Sequence, residues 1–159
     1  MLCDPGVFLD TLSKLKVNNK WNLDNKWIEQ NISEKKKWID KSLKDLEKET
    51  IEAKKNGGKI HPLQLALDVQ DAMKDNDWLV IDGGNTHFWS EIAINIAGHK
   101  GKKLGGILHP GTFSMLGVGV PFALSAKNLN PKSNVVLISG DGAFLSGGLS
   151  IEALSLIHI

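Results

Sequence analysis

The sequence has no arginine, no tyrosine and a single cysteine, Cys3. Without arginine there is no bidentate guanidinium fork, so a bound phosphate has to be held by backbone amides or by a metal ion. One cysteine cannot close an internal disulfide, and no Cys/His group has zinc spacing, so the expected setting is a reducing cytoplasm. An excess of charge of one sign is also missing. The 19 basic residues stand against 18 acidic ones, and the resulting net charge of +1 gives no global field to recruit nucleic acid or an anionic membrane. Long apolar runs are absent too: Val135–Ile138 is typical, short and soon interrupted by glycine or charge. That excludes a spanning helix and a signal-peptide core, and the expectation is no membrane partner.

What is present is enough to fold. Of the 159 residues, 42% are hydrophobic and 23% charged, which suits one medium domain plus an appendage, or a piece cut from something larger. The composition breaks near Gly57-Gly58: residues 1–59 carry 13 of the 19 lysines, and most glycines come later. In the first region, Asp4-Pro5-Gly6 is turn chemistry, and Val7, Phe8, Leu12 and Leu15 are placed for a short amphipathic helix. Trp27, Ile28, Ile32, Ile39, Leu43, Leu46 and Ile51 recur at three- and four-residue steps, which predicts a long helix over 25–55 with one narrow apolar stripe. The Lys35-Lys36-Lys37 run has acids on both sides and no aromatic row or arginine beside it, so it reads as a solvated helix face.

The second region alternates periods. Residues 63–73 read as an amphipathic helix, and the strand Trp78–Ile81 ends in Asp82-Gly83-Gly84. Residues 88–96 look helical, 115–126 read as a small-residue helix with Pro121 inside it, and a second apolar strand over 134–139 ends in Gly140-Asp141-Gly142. Helix, strand and glycine turn in this order predict an α/β domain, a parallel sheet flanked by helices. Ligands of such sheets bind at the carboxyl ends of strands, where both turns fall.

Gly140-Asp141-Gly142 directly follows a buried strand. Glycine on each side lets the backbone approach a phosphate, and one carboxylate can coordinate a hard cation, which makes a site for a metal-bridged diphosphate. The Gly-Lys-Ser/Thr of a P-loop and the third glycine of the dinucleotide fingerprint are both missing. The alternative is a plain strand-to-helix turn with Asp141 as cap. Asp82-Gly83-Gly84-Asn85-Thr86-His87 repeats the scheme, and by itself is read as an ordinary helix start capped by Asn or Thr. In 111–121, Gly117 and Gly119 beside bulky Met115 and Leu116 suit either an apolar wedge against a flat ring or close helix-to-sheet packing. His61, His87, His99 and His109 share no ligand spacing and read as surface or hydrogen-bonding residues, with His109, before Pro110-Gly111, the one to watch.

In order and spacing, the segments 82–89, 111–127 and 135–144 resemble the thiamine-diphosphate-dependent enzymes of the acetolactate synthase and 2-hydroxyacyl-CoA lyase group. The resemblance covers about residues 60–153. It implies the carboxy-terminal, diphosphate-binding domain of such an enzyme, incomplete, over 60–153. Before it would come the tail of a central domain over 1–24 and a lysine-rich connector helix over 25–59. It further implies thiamine diphosphate and Mg²⁺ as cofactors. Asp141 matches the family's magnesium ligand, and Gly140, Gly142 and Ala143 lie in the turn that gives amides to the diphosphate. Gly84, Asn85 and Thr86 fall where the family holds the diphosphate from the other turn. Leu116 occupies the place of the apolar residue beside the cofactor rings, and Gly117 the backbone that meets the aminopyrimidine.

The implied activity is decarboxylation of a 2-oxo acid and carboligation, most like an acetolactate synthase large subunit, in a homodimer or tetramer. Gly111-Thr112-Phe113 looks more like oxalyl-CoA decarboxylases and 2-hydroxyacyl-CoA lyases, which would make an acyl-CoA the substrate. A non-catalytic diphosphate-binding module is the alternative of another class. The family's second metal ligand, an Asn some 25 to 30 residues beyond Gly-Asp-Gly, is expected past Ile159. The activating glutamate is expected in an amino-terminal domain, so no catalytic residue is assigned here and the chain alone is expected to be inactive. The last six residues, 154–159, cut the helical pattern short and read as a non-native tail.

Overall fold

The computed structural model describes residues 4–18 and 24–152. The readings for 154–159, and for 1–3 and 19–23 within the 1–24 segment, lie outside the described residues. The chain divides into two compact units, residues 1–41 and 42–159. The first holds α1 (Pro5–Asn18) and the start of α2 (Asn25–Lys55). Asp4 Oδ1 accepts from the amides of Gly6 at 2.8 Å and Val7 at 3.1 Å, with Pro5 in the first turn, where no amide donor is needed. Asp24 starts α2 in the same way, through the amides of Lys26 and Trp27. The helix read over 25–55 has these bounds, and residues 56–59 of the 25–59 connector are turn and loop.

The second unit begins at Ser42, inside α2, where Leu46 is buried. It continues with α3 (Pro62–Ala72), β1 (Trp78–Ile81), α4 (Asn85–His99), β2 (Gly106–Leu108), α5 (Gly119–Leu129), β3 (Val135–Ile138) and α6 (Asp141–Gly147). The strands form one parallel sheet in the order β2-β1-β3, flanked by helices. β1 lies in the middle because its run Trp-Leu-Val-Ile has nothing polar to offer solvent on either face; Leu79, Val80 and Ile81 are fully buried. Side chains alternate across the sheet. Leu79, Ile81, Val136 and Ile138 meet Val69 and Met73 at the end of α3 and Ile94 of α4. Leu137, on the opposite face, reaches Gly119 at the start of α5. Burying each of Leu79 and Ile81 stabilises the fold by about 2 kcal/mol.

Three readings need correction. The helix read over 115–126 starts only at Gly119, because Pro121 lacks an amide hydrogen and therefore belongs in a first turn, where none is required. Residues 114–118 are loop instead, with Ser114 in the left-handed region at φ 47°. The sequence reading also missed β2, whose three residues Gly-Ile-Leu show no alternation; pairing with β1 makes it a strand. In addition, α4 starts at Asn85, three residues before the helix read over 88–96.

At the amino ends of the strands, Asp77 acts as a clasp. Its Oδ2 accepts from the Lys74 amide at 2.8 Å, and its Oδ1 accepts from the amide and side-chain nitrogens of Asn134, both at 3.2 Å. The Lys74 amide, followed by the Asn134 donors, holds this carboxyl below its ordinary value against the opposing effect of burial. The folded-state pKa is the lower one, so the stabilisation is complete above the unfolded-state value and lost as pH falls through the folded one. Asp77→Ala is therefore expected to flatten the loss of stability below about pH 4, read as urea midpoints across the acid range.

Candidate functional site

All three strands run the same way, so their carboxyl ends deliver three loops to one edge of the sheet: 82–84, 109–118 and 139–140. Asp82 ties them together. It is 1% exposed, and its Oδ1 accepts from the amides of Gly83 at 2.8 Å and Gly117 at 3.0 Å. Its Oδ2 accepts from the Gly119 amide at 3.0 Å, with the Ser139 hydroxyl at 3.5 Å. A methyl group at Gly119 would lie 2.7 Å from both Asp82 Oδ2 and Leu137 Cδ1, so only glycine lets the loop come this close.

At both turns the N-cap position is a glycine rather than Asn85, Thr86 or Asp141. The N-cap of α4 is Gly84, at φ 86° and ψ −157°, a conformation closed to residues with a Cβ. The N-cap of α6 is Gly140, also without a side-chain bond. Asn85, Thr86, Asp141, Gly142 and Ala143 thus stand in first turns, whose amides have no backbone carbonyl partner within the helix. The Gly142 amide donates to Asp141 Oδ1 at 2.8 Å, with Asp141 itself exposed. The two turns meet: a Cβ on Gly140 would lie 3.2 Å from Thr86 Oγ1. Beside them is a cavity of about 260 Å³ lined by Asn85, Thr86, Trp89, Ser90 and Ser139. The Ser90 hydroxyl in its wall is buried and has no hydrogen-bond partner among the described residues.

The third loop carries the apolar wedge. Leu116 is 50% exposed and Met115 62%, while a Cβ on Gly84 would stand 3.8 Å from Leu116 Cδ2. Gly117, at φ 89°, lies against Ser146 and Gly147 at the end of α6. Eight of the nine predicted site residues therefore lie in mutual contact or within one turn of the Thr86–Gly140 junction: Gly84, Asn85, Thr86, Gly140, Asp141, Gly142, Ala143 and Leu116. Gly142 faces open space, and the methyl of Ala143 points into the core, which leaves these two only their amides to offer.

Residues 82–154 match the family model for the thiamine pyrophosphate enzyme, C-terminal TPP binding domain. This segment is a thiamine pyrophosphate enzyme C-terminal domain. Among similar proteins, a catabolic acetolactate synthase of Raoultella terrigena is 31% identical over 62% of this chain and 17% of its own length. The human 2-hydroxyacyl-CoA lyase 2 is 38% identical over 54% of this chain and 13% of its own. The Caenorhabditis elegans 2-hydroxyacyl-CoA lyase 2 is 37% identical over 67% and 17%. The chain thus spans less than a fifth of the length of these relatives.

Two features of the thiamine pyrophosphate domain escaped the sequence reading. Asp82 was seen only as part of a turn, since nothing in the sequence marks a carboxyl whose donors lie 35 and 37 residues downstream. The histidines do not stand apart, either. His87 and His109 have ring centroids 5.0 Å apart, and His87 Nε2 is 3.2 Å from Glu91 Oε1. The register Val80↔Leu108 sets the end of β2 beside the turn that opens α4, so residues distant in sequence meet there. His61 is the hydrogen-bonding residue it was read as: its Nδ1 accepts from the Leu63 amide, its Nε2 is 2.9 Å from Glu49 Oε2, and its ring lies edge-on to Trp89.

Proposed function

We propose that this chain grips the diphosphate end of thiamine diphosphate through Mg²⁺, in an enzyme that decarboxylates a 2-oxo acid and joins the remaining fragment to an acceptor. The observation that carries the reading is the junction of two uncapped helix starts at Thr86 and Gly140. Glycine at 140 keeps the cleft between the turns open, and the unpartnered Ser90 hydroxyl leaves the adjoining cavity with an unused polar group. Both suit a ligand rich in acceptor oxygens. Asp141 would hold Mg²⁺, a hard cation matched to carboxylate and diphosphate oxygens. The first-turn amides of Asn85, Thr86, Gly142 and Ala143 would hold the diphosphate. Leu116 would support the ring end from its exposed position beside Gly84 and Gly117, and the protein's share of the work is orientation and charge neutralisation. The cofactor, when bound, supplies the electron sink for cleaving a bond beside a carbonyl.

A second reading, carbon–carbon cleavage of a 2-hydroxyacyl-CoA or decarboxylation of oxalyl-CoA, is favoured by Gly111-Thr112-Phe113 and by the identity to 2-hydroxyacyl-CoA lyases. On either reading the protein would be a cytoplasmic homodimer or tetramer. Titration calorimetry is expected to show thiamine diphosphate binding when Mg²⁺ is present and none when it is chelated. Binding of equal strength in both conditions would rule out the metal-bridged arrangement. Assays of the protein carrying this chain, with pyruvate in one arm and a 2-hydroxyacyl-CoA in the other, separate the two substrates. Binding without turnover of either would favour the non-catalytic module.

A further inference from the structure

We propose that His87, Glu91 and His109 form a binding site for a divalent transition metal, distinct from the Mg²⁺ position assigned to Asp141. His87 and Glu91 are one helical turn apart on α4, so both point to the same side. His109 follows directly after β2 and is brought over this pair by the parallel pairing of β1 and β2. One ligand atom from each residue lies within 4.8 Å of the others. Donors bound at about 2.0 to 2.2 Å to one ion are roughly 3 to 4 Å apart, a gap that small side-chain rotations close. His109 is exposed and His87 and Glu91 are half-buried, so the site opens to solvent and leaves coordination positions for water.

The donor set determines the class of ion. Two imidazoles and one carboxylate suit Zn²⁺, Co²⁺, Ni²⁺ or Fe²⁺, whereas Mg²⁺ selects oxygen donors in octahedral geometry. His109 Nδ1 accepts weakly from the Gly111 amide at 3.2 Å. Ligation through the other ring nitrogen would move the ring proton to Nδ1 and give up that contact, a small exchange for a metal bond.

Co²⁺ is the probe, because its visible absorption reports nitrogen and oxygen ligation directly. The metal-stripped full chain carrying Cys3→Ser, so that no thiol contributes, is titrated near neutral pH and its fold checked by circular dichroism. One Co²⁺ per chain is expected, resistant to excess Mg²⁺. His109→Ala and Glu91→Gln are each expected to weaken it by at least about tenfold, while His99→Ala, at an exposed residue outside the cluster, leaves it unchanged. His109 is on an exposed loop, so its variant keeps the fold. Absence of a Co²⁺ spectrum in the folded chain, undiminished binding in His109→Ala, or displacement by Mg²⁺ would each overturn the proposal.

Discussion

Asp82→Ala is expected to lower the unfolding free energy by about 3 kcal/mol, because it strips the acceptor from the buried amides of Gly83 and Gly119 and from Gly117. In a chain of this size that is a fall of about 10 °C in melting temperature. Water cannot easily reach the vacated space, since the start of α5 at Gly119 comes close to both the carboxyl and Leu137. Asp82→Asn keeps one acceptor oxygen and adds two donors beside amide donors, so it is expected to recover only part of the loss. The effect should also reach the wedge, because the Gly117 amide bond fixes the backbone that presents Leu116. Thermal melts of the three proteins under one buffer decide the matter. An alanine variant as stable as the parent would mean that the three amides find other acceptors.

Asp141→Ala is expected to abolish Mg²⁺-dependent thiamine diphosphate binding in calorimetry while leaving the melting temperature nearly unchanged. The asymmetry follows from its surroundings. Asp141 is exposed and its one recorded bond is to the neighbouring Gly142 amide, so the fold loses little with it. A diphosphate brought close to two helix starts without its cation, however, lacks the neutralising charge that arginine would supply in other proteins, and this chain has none. Retained binding in the alanine variant would shift the metal elsewhere or remove it from the scheme.

How much of this was readable beforehand depends on distance along the chain. Trp78–Ile81 and Val135–Ile138 were legible as strands because an unbroken apolar run followed by glycine has few other uses in a soluble sheet. The long helix was legible from its apolar stripe, while the part Asp24 plays at its start shows only in the structure. The two glycine turns were legible as candidate sites, but not their mutual contact, which needs the register of β1 with β3. β2 was illegible because three residues carry no period. Asp82 was hidden because its function lies in atoms it reaches, not in its neighbours. The spacing of His87 and Glu91 was visible all along, but without His109 an i, i+4 pair means only a helix face.

The position of β1 has a consequence for how the chain assembles. Among the described residues it is the first strand in sequence and the middle one in the sheet, and Trp78 must pair with Gly106 on one side and Val135 on the other. Both pairings are non-local, so loop-closure entropy precedes any gain from hydrogen bonding, and folding is correspondingly slow. As the chain leaves the ribosome, Trp-Leu-Val-Ile emerges with both edges bare and waits for partners not yet made. During that interval the segment destined to be the most deeply buried is the one most open to pairing with a neighbouring chain.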